Sequence, residues 1–356
     1  MEDKFWYKKH DGLIEEKPKP TDFIRGIGQT LLQHEDRNTT ADWGLFLPSE
    51  ERQRFRYFDA MACVTFSALN VVETTINWMI KNNLLPEGYY GELVELGFIT
   101  DGAFNCSDRF TAKMSGTTRE GNTLTKVWES IRKNGLLPEK DWPGSEDFNW
   151  DNYYAPIPDE PKLKAKEILK LFKFEYELIS PATIPNLRIG LKHAPLQITT
   201  GVCPGWDSPP VNVCNLSPSH ATELYKIESD NGYGDYDSYP PYQKKLNPGY
   251  KVYSCLKGVI SPIKIGEVYP FHYTFNNNLY QGQTSPEIVA LQRILVQDGE
   301  LRQGDFKSGT YDGITKEAVF AFQKRYVVAS WWELLFVRGR WIGPATRRKL
   351  NELYGL

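Results

Sequence analysis

The chain has 356 residues, which is enough for two or three domains. Hydrophobic residues make up 40% and charged residues 24% of the sequence, the balance expected of a globular protein with sizeable buried cores. The formal net charge of −3 gives no reason to expect nucleic acid as a partner. The sequence has no run of 18 apolar residues, and its first twelve residues lack the apolar core of a secretory signal. We therefore expect no membrane partner.

Helices are predicted in the first half of the chain. Residues 1–40 are mixed and charged, and we interpret them as an extension lying on the surface of the first domain. From Cys63 to Asn82 the chain has neither Pro nor Gly, and apolar residues recur at helical spacing, which predicts a long buried helix. A second helix is predicted near Asn122–Asn134, ended by Gly135, and an amphipathic helix over Lys162–Phe172.

Strands are predicted next, where alternating and β-branched residues form three runs: Leu196–Val202, Ala221–Glu228 and Tyr250–Ile260. Because the helices come first and the strands follow, the pattern predicts an α+β domain over residues 41–262. The stretch 263–284 is rich in Pro, Asn and Gln and is interpreted as a linker. Residues 285–356 are predicted to form a small all-α domain.

The five cysteines are an odd number and form no CxxC pair, so neither a zinc ribbon nor any other metal site is expected. Cys203 and Cys214 could bridge one loop, but two free thiols are favoured in a chain without a signal peptide. A remaining cysteine is either a small buried hydrophobe or a nucleophile, and its surroundings must decide.

Cys63 is the candidate nucleophile because it opens the long helix, whose N-terminus favours a thiolate. A thiolate also needs a histidine that later protonates the leaving amine. Of the five histidines, only His220 opens a predicted strand after a Pro-rich loop, where side chains reach a cleft from a rigid base. The alternatives stay open: Cys63 as packing, His220 as a structural residue, and Asp237 as a turn residue.

Several segments resemble the papain family of cysteine peptidases. CVTFSALNVVE, which starts at Cys63, resembles the segment that follows the family's nucleophile, and HATELYKI, which starts at His220, resembles its catalytic-histidine strand. Asp237 opens DSYP, where the family has Asn-Ser-Trp-Gly. The stretches ADW, SDRF and KNGLLPEKDWP resemble further family segments in the right order. The resemblance covers roughly residues 40–262 and implies a papain-like fold, with a helical half and a β half, that needs no cofactor.

By this resemblance, Cys63 is the nucleophile, His220 the general acid and base, and Asp237 the residue that orients the imidazole. The family's oxyanion hole combines the nucleophile's backbone N–H with a glutamine six residues earlier, where this chain has Tyr57. Gln53, ten residues before the cysteine, could take that role if the intervening loop bulges. Its alternative is an exposed, solvated glutamine.

The C-terminal segment resembles the three-helix peptidoglycan-binding domain. LQ, YDGxTxxAVxxFQ and WIGxxT match its hallmarks, and TYDGITKEAV and RWIGPATRRKL form an internal echo. The alternatives are that these residues only cap and pack helices, or that the module binds another protein. The extra aromatic stretch VASWWELLFV interrupts the pattern. The resemblance implies a binding groove at Asp312, Gly313, Thr315, Trp341, Gly343 and Thr346.

The sequence therefore predicts a thiol-dependent peptidase carried to peptidoglycan, with peptides or proteins as substrate. A wall-binding module without a signal peptide fits a phage lysin or virion-associated enzyme, present in the cytoplasm or the particle. One rival is a catalytically inactive papain-like scaffold for structure or adhesion, since Met61 and Ala62 replace the family's Gly-Ser before the nucleophile. Another is an amidase that acts on the stem peptides of the wall.

Overall fold

The computed structural model describes residues 12–16, 24–25, 36–263, 273–298, 300–301, 306–326, 328 and 337–355. The chain divides into two compact units, Met1–Ile263 and Lys264–Leu356. Within the described ranges, no helix combines the length and the apolar character that crossing a membrane requires.

The first unit is built from helices and one large sheet. Its helices are α1 (Cys63–Lys81), α2 (Tyr89–Leu96), α3 (Asp108–Met114), α4 (Leu124–Asn134), α5 (Trp150–Tyr153), α6 (Asp159–Ala165), α7 (Ile168–Leu171) and α8 (Ile184–Leu191). Its strands are β1 (Ile24–Arg25), β2 (Ile99–Thr100), β3 (Ala103–Phe104), β4 (Phe172–Ile179), β5 (Leu196–Thr200), β6 (His220–Ile227), β7 (Tyr233–Tyr236), β8 (Gln243–Leu246) and β9 (Ser254–Pro262). The predicted α+β class is confirmed, with most helices before the main strands.

The large sheet has the strand order β1-β4-β9-β5-β6-β7-β8. β1 pairs with β4 in parallel, and every other pair in this sheet is antiparallel. α1 packs against the sheet: Val72 and Ile76 share a buried cluster with Leu256 and Ile260 of β9. Because nearly all of α1 is buried between the sheet and the other helices, the position of its first residue is fixed.

Two predicted helices are confirmed and one prediction is wrong. α1 and α4 begin and end within two residues of their predicted limits, and Thr123 caps α4 by accepting from the Lys126 N–H. The amphipathic helix predicted over Lys162–Phe172 is instead two short helices, α6 and α7, and Phe172 already begins β4. The apolar periodicity there is real, but antiparallel pairing of β4 with the distant β9 decides where the helix ends.

The three predicted strands correspond to β5, β6 and β9, while β4, β7 and β8 were not predicted. β7 (YGDY) and β8 (QKKL) have four residues each and little apolar character, so their sequences carry a weak strand signal. Their ladder forms because β6 offers them an edge.

The second unit has three helices, α9 (Pro286–Gln297), α10 (Gly313–Arg325) and α11 (Pro344–Tyr354), and a short ladder of β10 (Leu279–Tyr280) with β11 (Trp341–Ile342). Its core includes Phe275 and Leu279, so part of the stretch interpreted as a linker is folded into this unit. Most of the aromatic stretch VASWWELLFV lies outside the described residues.

The internal echo in the second unit is also a repeat of hydrogen bonds. Gln292 Nε2 donates to Thr315 Oγ1, and Gln323 Nε2 donates to Thr346 Oγ1, across 23 residues in both cases. Each glutamine also donates to a carbonyl 18 residues further along the chain, that of Thr310 or Trp341. The two matching sequence stretches therefore build the same turn before a helix.

Candidate active site

Cys63 lies at the first turn of α1 and is fully buried. The residue two positions before it, Met61, has a φ of +53°, the left-handed region that non-glycine residues rarely adopt. The Met61 N–H donates to Asp59 Oδ1 at 2.9 Å, which holds this turn. Strained backbone of this kind persists where the surrounding contacts fix it, and here it stands two residues before the nucleophile candidate.

His220 opens β6, against which α1 packs, and its ring is fully buried. Its Nε2 lies 2.7 Å from Asp237 Oδ1, and the ring also interacts electrostatically with the Cys63 side chain. Since Nε2 is bonded to Asp237, Nδ1 is the nitrogen available to the thiol. Burial alone would lower the pKa of His220, but the charge of Asp237 and the interaction with Cys63 raise it to about 10. The site therefore favours an imidazolium beside the sulfur.

Asp237 is fully buried and uses both oxygens. Oδ1 bonds His220 and accepts from the Ser238 N–H at 2.7 Å, while Oδ2 accepts from Trp206 Nε1 at 2.8 Å and Lys244 Nζ at 2.9 Å. Burial would raise the pKa of this carboxyl, yet the charges of His220 and Lys244 hold it well below its ordinary value. Sequence reasoning missed Trp206 and Lys244, because neither lies in a segment that resembles the family.

A disulfide joins Cys203 to Cys214, with a Cα–Cα distance of 5.7 Å. The expectation of two free thiols, which rested on the missing signal peptide, is wrong in this structure. The loop between the two cysteines carries Trp206, so the bridge helps to hold the indole against Asp237. Whether two cysteines meet is decided by Cα separation in the fold, which sequence does not give.

The other free cysteines have the character of structural residues. Burial raises the pKa of the Cys106 thiol well above its ordinary value, and burial does the same for Cys255. The backbone and side chain of Cys106 both bond Glu73 Oε1. Among the three free thiols, Cys63 is thus the one beside an imidazole. Over the described residues, no group of three His, Cys, Asp or Glu side chains is arranged to hold a metal ion.

Gln53 is fully buried, so the alternative of an exposed, solvated glutamine is wrong. Its Nε2 donates to Asp59 Oδ1 at 2.9 Å and to the Tyr239 hydroxyl at 2.5 Å, and its Oε1 accepts from Ser238 Oγ at 3.0 Å. Both amide hydrogens therefore have acceptors. Gln53 ties the loop before Cys63 to the loop after Asp237, and service as an oxyanion donor would require one of these bonds to open.

Residues 12–16, here called the strap, pass over the nucleophile. A Cβ placed on Gly12 would lie only 3.1 Å from Cys63 Sγ and 2.8 Å from the Met61 carbonyl. The Gly12 carbonyl accepts from the Asn122 N–H at 3.1 Å, and the Ile14 N–H donates to the Asn122 carbonyl at 2.7 Å. The strap therefore pairs with the first unit through its backbone, and Gly12 at its start lies against the thiol.

Most of the residues predicted to bind in the second unit have structural partners. Asp312 caps α10 by accepting from the Thr315 N–H at 2.8 Å, and Gly313 begins that helix. Thr315 and Thr346 are buried acceptors of the two glutamines. Gly343 precedes α11 as its N-cap residue.

Trp341 is the exception, because it stays 36% exposed. Its ring stacks on Tyr280, which is 46% exposed, with centroids 6.2 Å apart and planes 12° from parallel. The two residues face each other across the β10–β11 ladder. Sequence reasoning missed Tyr280, since it lies in the stretch interpreted as a linker.

No protein-family model matches the sequence, and no curated protein matches it. Solved structures do. Xylellain, a cysteine protease from Xylella fastidiosa, aligns at 15% identity and a TM-score of 0.46 over 72% of this chain and 97% of its own. ProCathepsin B S9 from Trypanosoma congolense aligns at 10% identity and a TM-score of 0.45, over 73% of this chain and 89% of its own. The bromelain protease from Ananas comosus aligns at 12% identity and a TM-score of 0.41, over 61% of this chain and 97% of its own. At this level of similarity, the chemistry of the site rests on its own geometry.

Proposed function

We propose that the first unit is a cysteine peptidase that hydrolyses peptide bonds through a thiol nucleophile. The observation that carries the proposal is the chain of contacts from Cys63 to His220 to Asp237, buried at the start of α1 and β6. A cysteine needs a base to become nucleophilic, and that base needs a third group to fix its tautomer. All three kinds of group are present in the required order.

The reaction would begin from a thiolate–imidazolium pair, in which the proton of Cys63 already lies on His220, with attack of the thiolate on the substrate carbonyl. The imidazolium of His220 then protonates the leaving amine, and an acyl-enzyme remains. Water, activated by the neutral imidazole, attacks the thioester and releases Cys63. Asp237 keeps Nε2 occupied throughout, so Nδ1 stays directed at the reacting atoms.

The oxyanion of the tetrahedral intermediate would form at the N-terminus of α1. The first N–H groups of a helix have no acceptor within the helix, and the helix dipole adds partial positive charge there. The Cys63 N–H is therefore the first donor to consider. The second donor that the family resemblance implies is Gln53, after a rearrangement of its bonds to Asp59 and Tyr239.

The inactive-scaffold alternative is less well supported. A scaffold without activity has no use for a buried Cys–His–Asp chain, because burying charged groups is costly unless they pair with good geometry. The replacement of Gly-Ser by Met61 and Ala62 before the nucleophile does not disturb this chain of contacts.

We further propose that the second unit binds peptidoglycan. The exposed, stacked rings of Tyr280 and Trp341 support this proposal, since glycan rings pack on exposed aromatic faces. In that arrangement the chain would act as a phage lysin or a virion-associated peptidase, and tethering would raise the concentration of wall peptides near Cys63.

A substrate panel tests the peptidase proposal and decides between its substrate classes. The full-length chain is incubated for long times with denatured protein and with peptidoglycan stem peptides, and new amino termini are identified by mass spectrometry. We expect cleavage of at least one substrate, and its loss after iodoacetamide has modified Cys63. Cleavage confined to the lactyl-amide bond of the stem would indicate an amidase instead. No cleavage by any form of the chain would contradict the proposal.

A further inference from the structure

A buried lysine stands beside the carboxylate that holds His220. The side chain of Lys244 is fully buried, and its Nζ lies 2.9 Å from Asp237 Oδ2. It also donates to the carbonyls of Tyr239 and Pro241, at 2.6 Å each. All three ammonium hydrogens therefore have acceptors, and the positive charge is fixed against Asp237.

The two oxygens of Asp237 have separate tasks, because Oδ1 faces His220 and Oδ2 faces Lys244. A buried carboxylate with an imidazole as its only charged neighbour would hold the imidazolium too firmly for proton transfer. A cation on the second oxygen weakens that attraction. We propose that Lys244 is a positioning residue: its charge holds Oδ2 of Asp237 and offsets part of the carboxylate's charge, so that Oδ1 stays directed at His220. This inference rests on the proposed peptidase function.

Other ionisable groups also face this pair. Asp235, on the neighbouring strand β7, has its pKa raised to about 7 by burial and by the charge of Asp237. Asp59, in the loop before α1, and Cys63, at its start, both interact with His220. Burial raises the pKa of Tyr239, which keeps its hydroxyl neutral. These groups are anionic or neutral, so Lys244 supplies the positive charge that faces Asp237 opposite the imidazole.

The pH dependence of Cys63 alkylation tests this proposal. Iodoacetamide labelling of the full-length chain is followed by mass spectrometry of the Cys63 peptide. Because His220 is already an imidazolium at rest, removing the cation acts mainly on the thiolate and disfavours it, so Lys244→Met is expected to move the labelling midpoint up by about one pH unit. Lys245→Met is the matched control, because its exposed side chain pairs with Asp230. Its midpoint should equal that of the wild type.

A double variant guards against a folding defect. Asp237→Asn with Lys244→Met replaces the ion pair by a neutral amide and an apolar side chain of similar length. We expect a folded chain whose midpoint lies below that of Lys244→Met, because an anion near the thiolate has also been removed. Asp237→Asn alone should be less stable than the double variant, since it leaves the ammonium unpaired. A folded Lys244→Met chain with an unchanged midpoint would overturn the proposal, as would a double variant that does not fold. Labelling needs no turnover, so these outcomes are separate from a failure of peptide hydrolysis.

Discussion

Replacing Cys63 with alanine is expected to lower peptide hydrolysis by about 10⁶-fold. Removing the nucleophile leaves only substrate binding and the oxyanion donors, and in thiol and serine enzymes the loss of one such residue is about as severe as losing the whole chain of groups. The measurement is initial-rate hydrolysis of the best substrate from the panel, with the free energy of unfolding determined in parallel. Stability should change little, because alanine fits at a helix start and leaves the Ser67-to-Cys63 carbonyl bond intact.

Cys255→Ala is the matched control for this experiment. Cys255 is a free thiol that is as buried as Cys63, but it lies in β9 and burial keeps it protonated. The Cys255→Ala chain should keep wild-type hydrolysis. If Cys63→Ala retains more than a small fraction of the activity, another group performs the attack and the assignment of the nucleophile is wrong.

Replacing Trp341 with alanine is expected to weaken co-sedimentation with purified peptidoglycan by about tenfold, the effect of losing a stacking aromatic ring. Tyr280→Ala should do the same, because the two rings form one stacked pair. The full-length chain carrying Cys63→Ala is used for all binding measurements, so that the wall is not digested. The bound fraction is measured over a range of peptidoglycan concentrations.

Glu352→Ala provides the control for the binding experiment, since Glu352 is an exposed residue of the same unit near the end of α11, outside the predicted groove. It should bind like the parent chain. Equal binding by the parent, Trp341→Ala and Tyr280→Ala chains would exclude the aromatic pair as the contact surface. If the parent chain does not co-sediment with peptidoglycan, the result favours a protein partner for the second unit.

Much of the fold could be predicted because its signals are local. α1 was predicted from apolar spacing over twenty residues without Pro or Gly, Cys63 to Asn82, and α4 from its periodicity and from Gly135, where the helix ends. The start of β6 at His220 followed from alternation after a Pro-rich loop. The prediction of one helix over Lys162–Phe172 failed because the pairing of β4 with the distant β9 overrides the local helical pattern.

The candidate site was predicted as far as sequence similarity reached. Cys63, His220 and Asp237 lie in segments that resemble a known family, and the structure brings all three together. Lys244 lies in a four-residue strand with no such resemblance. A lysine in the sequence QKKL is typical of an exposed, solvated side chain. Gln53 was a candidate from the sequence. Its hydrogen-bond partners Asp59, Ser238 and Tyr239 could not be predicted, because they lie in two loops that only the fold brings together.

The sequence by itself determined the α+β order of elements, the helix that begins at Cys63, and the repeated turn-and-helix design of the second unit. Only the tertiary structure decided that Cys203 bonds Cys214, that Lys244 pairs with Asp237, and that Gly12 lies against the thiol. The physical reason is the separation along the chain over which each kind of interaction acts. Periodicity and capping act between residues a few positions apart, whereas charge pairing, disulfide formation and occlusion depend on distances between segments that only the packed core sets.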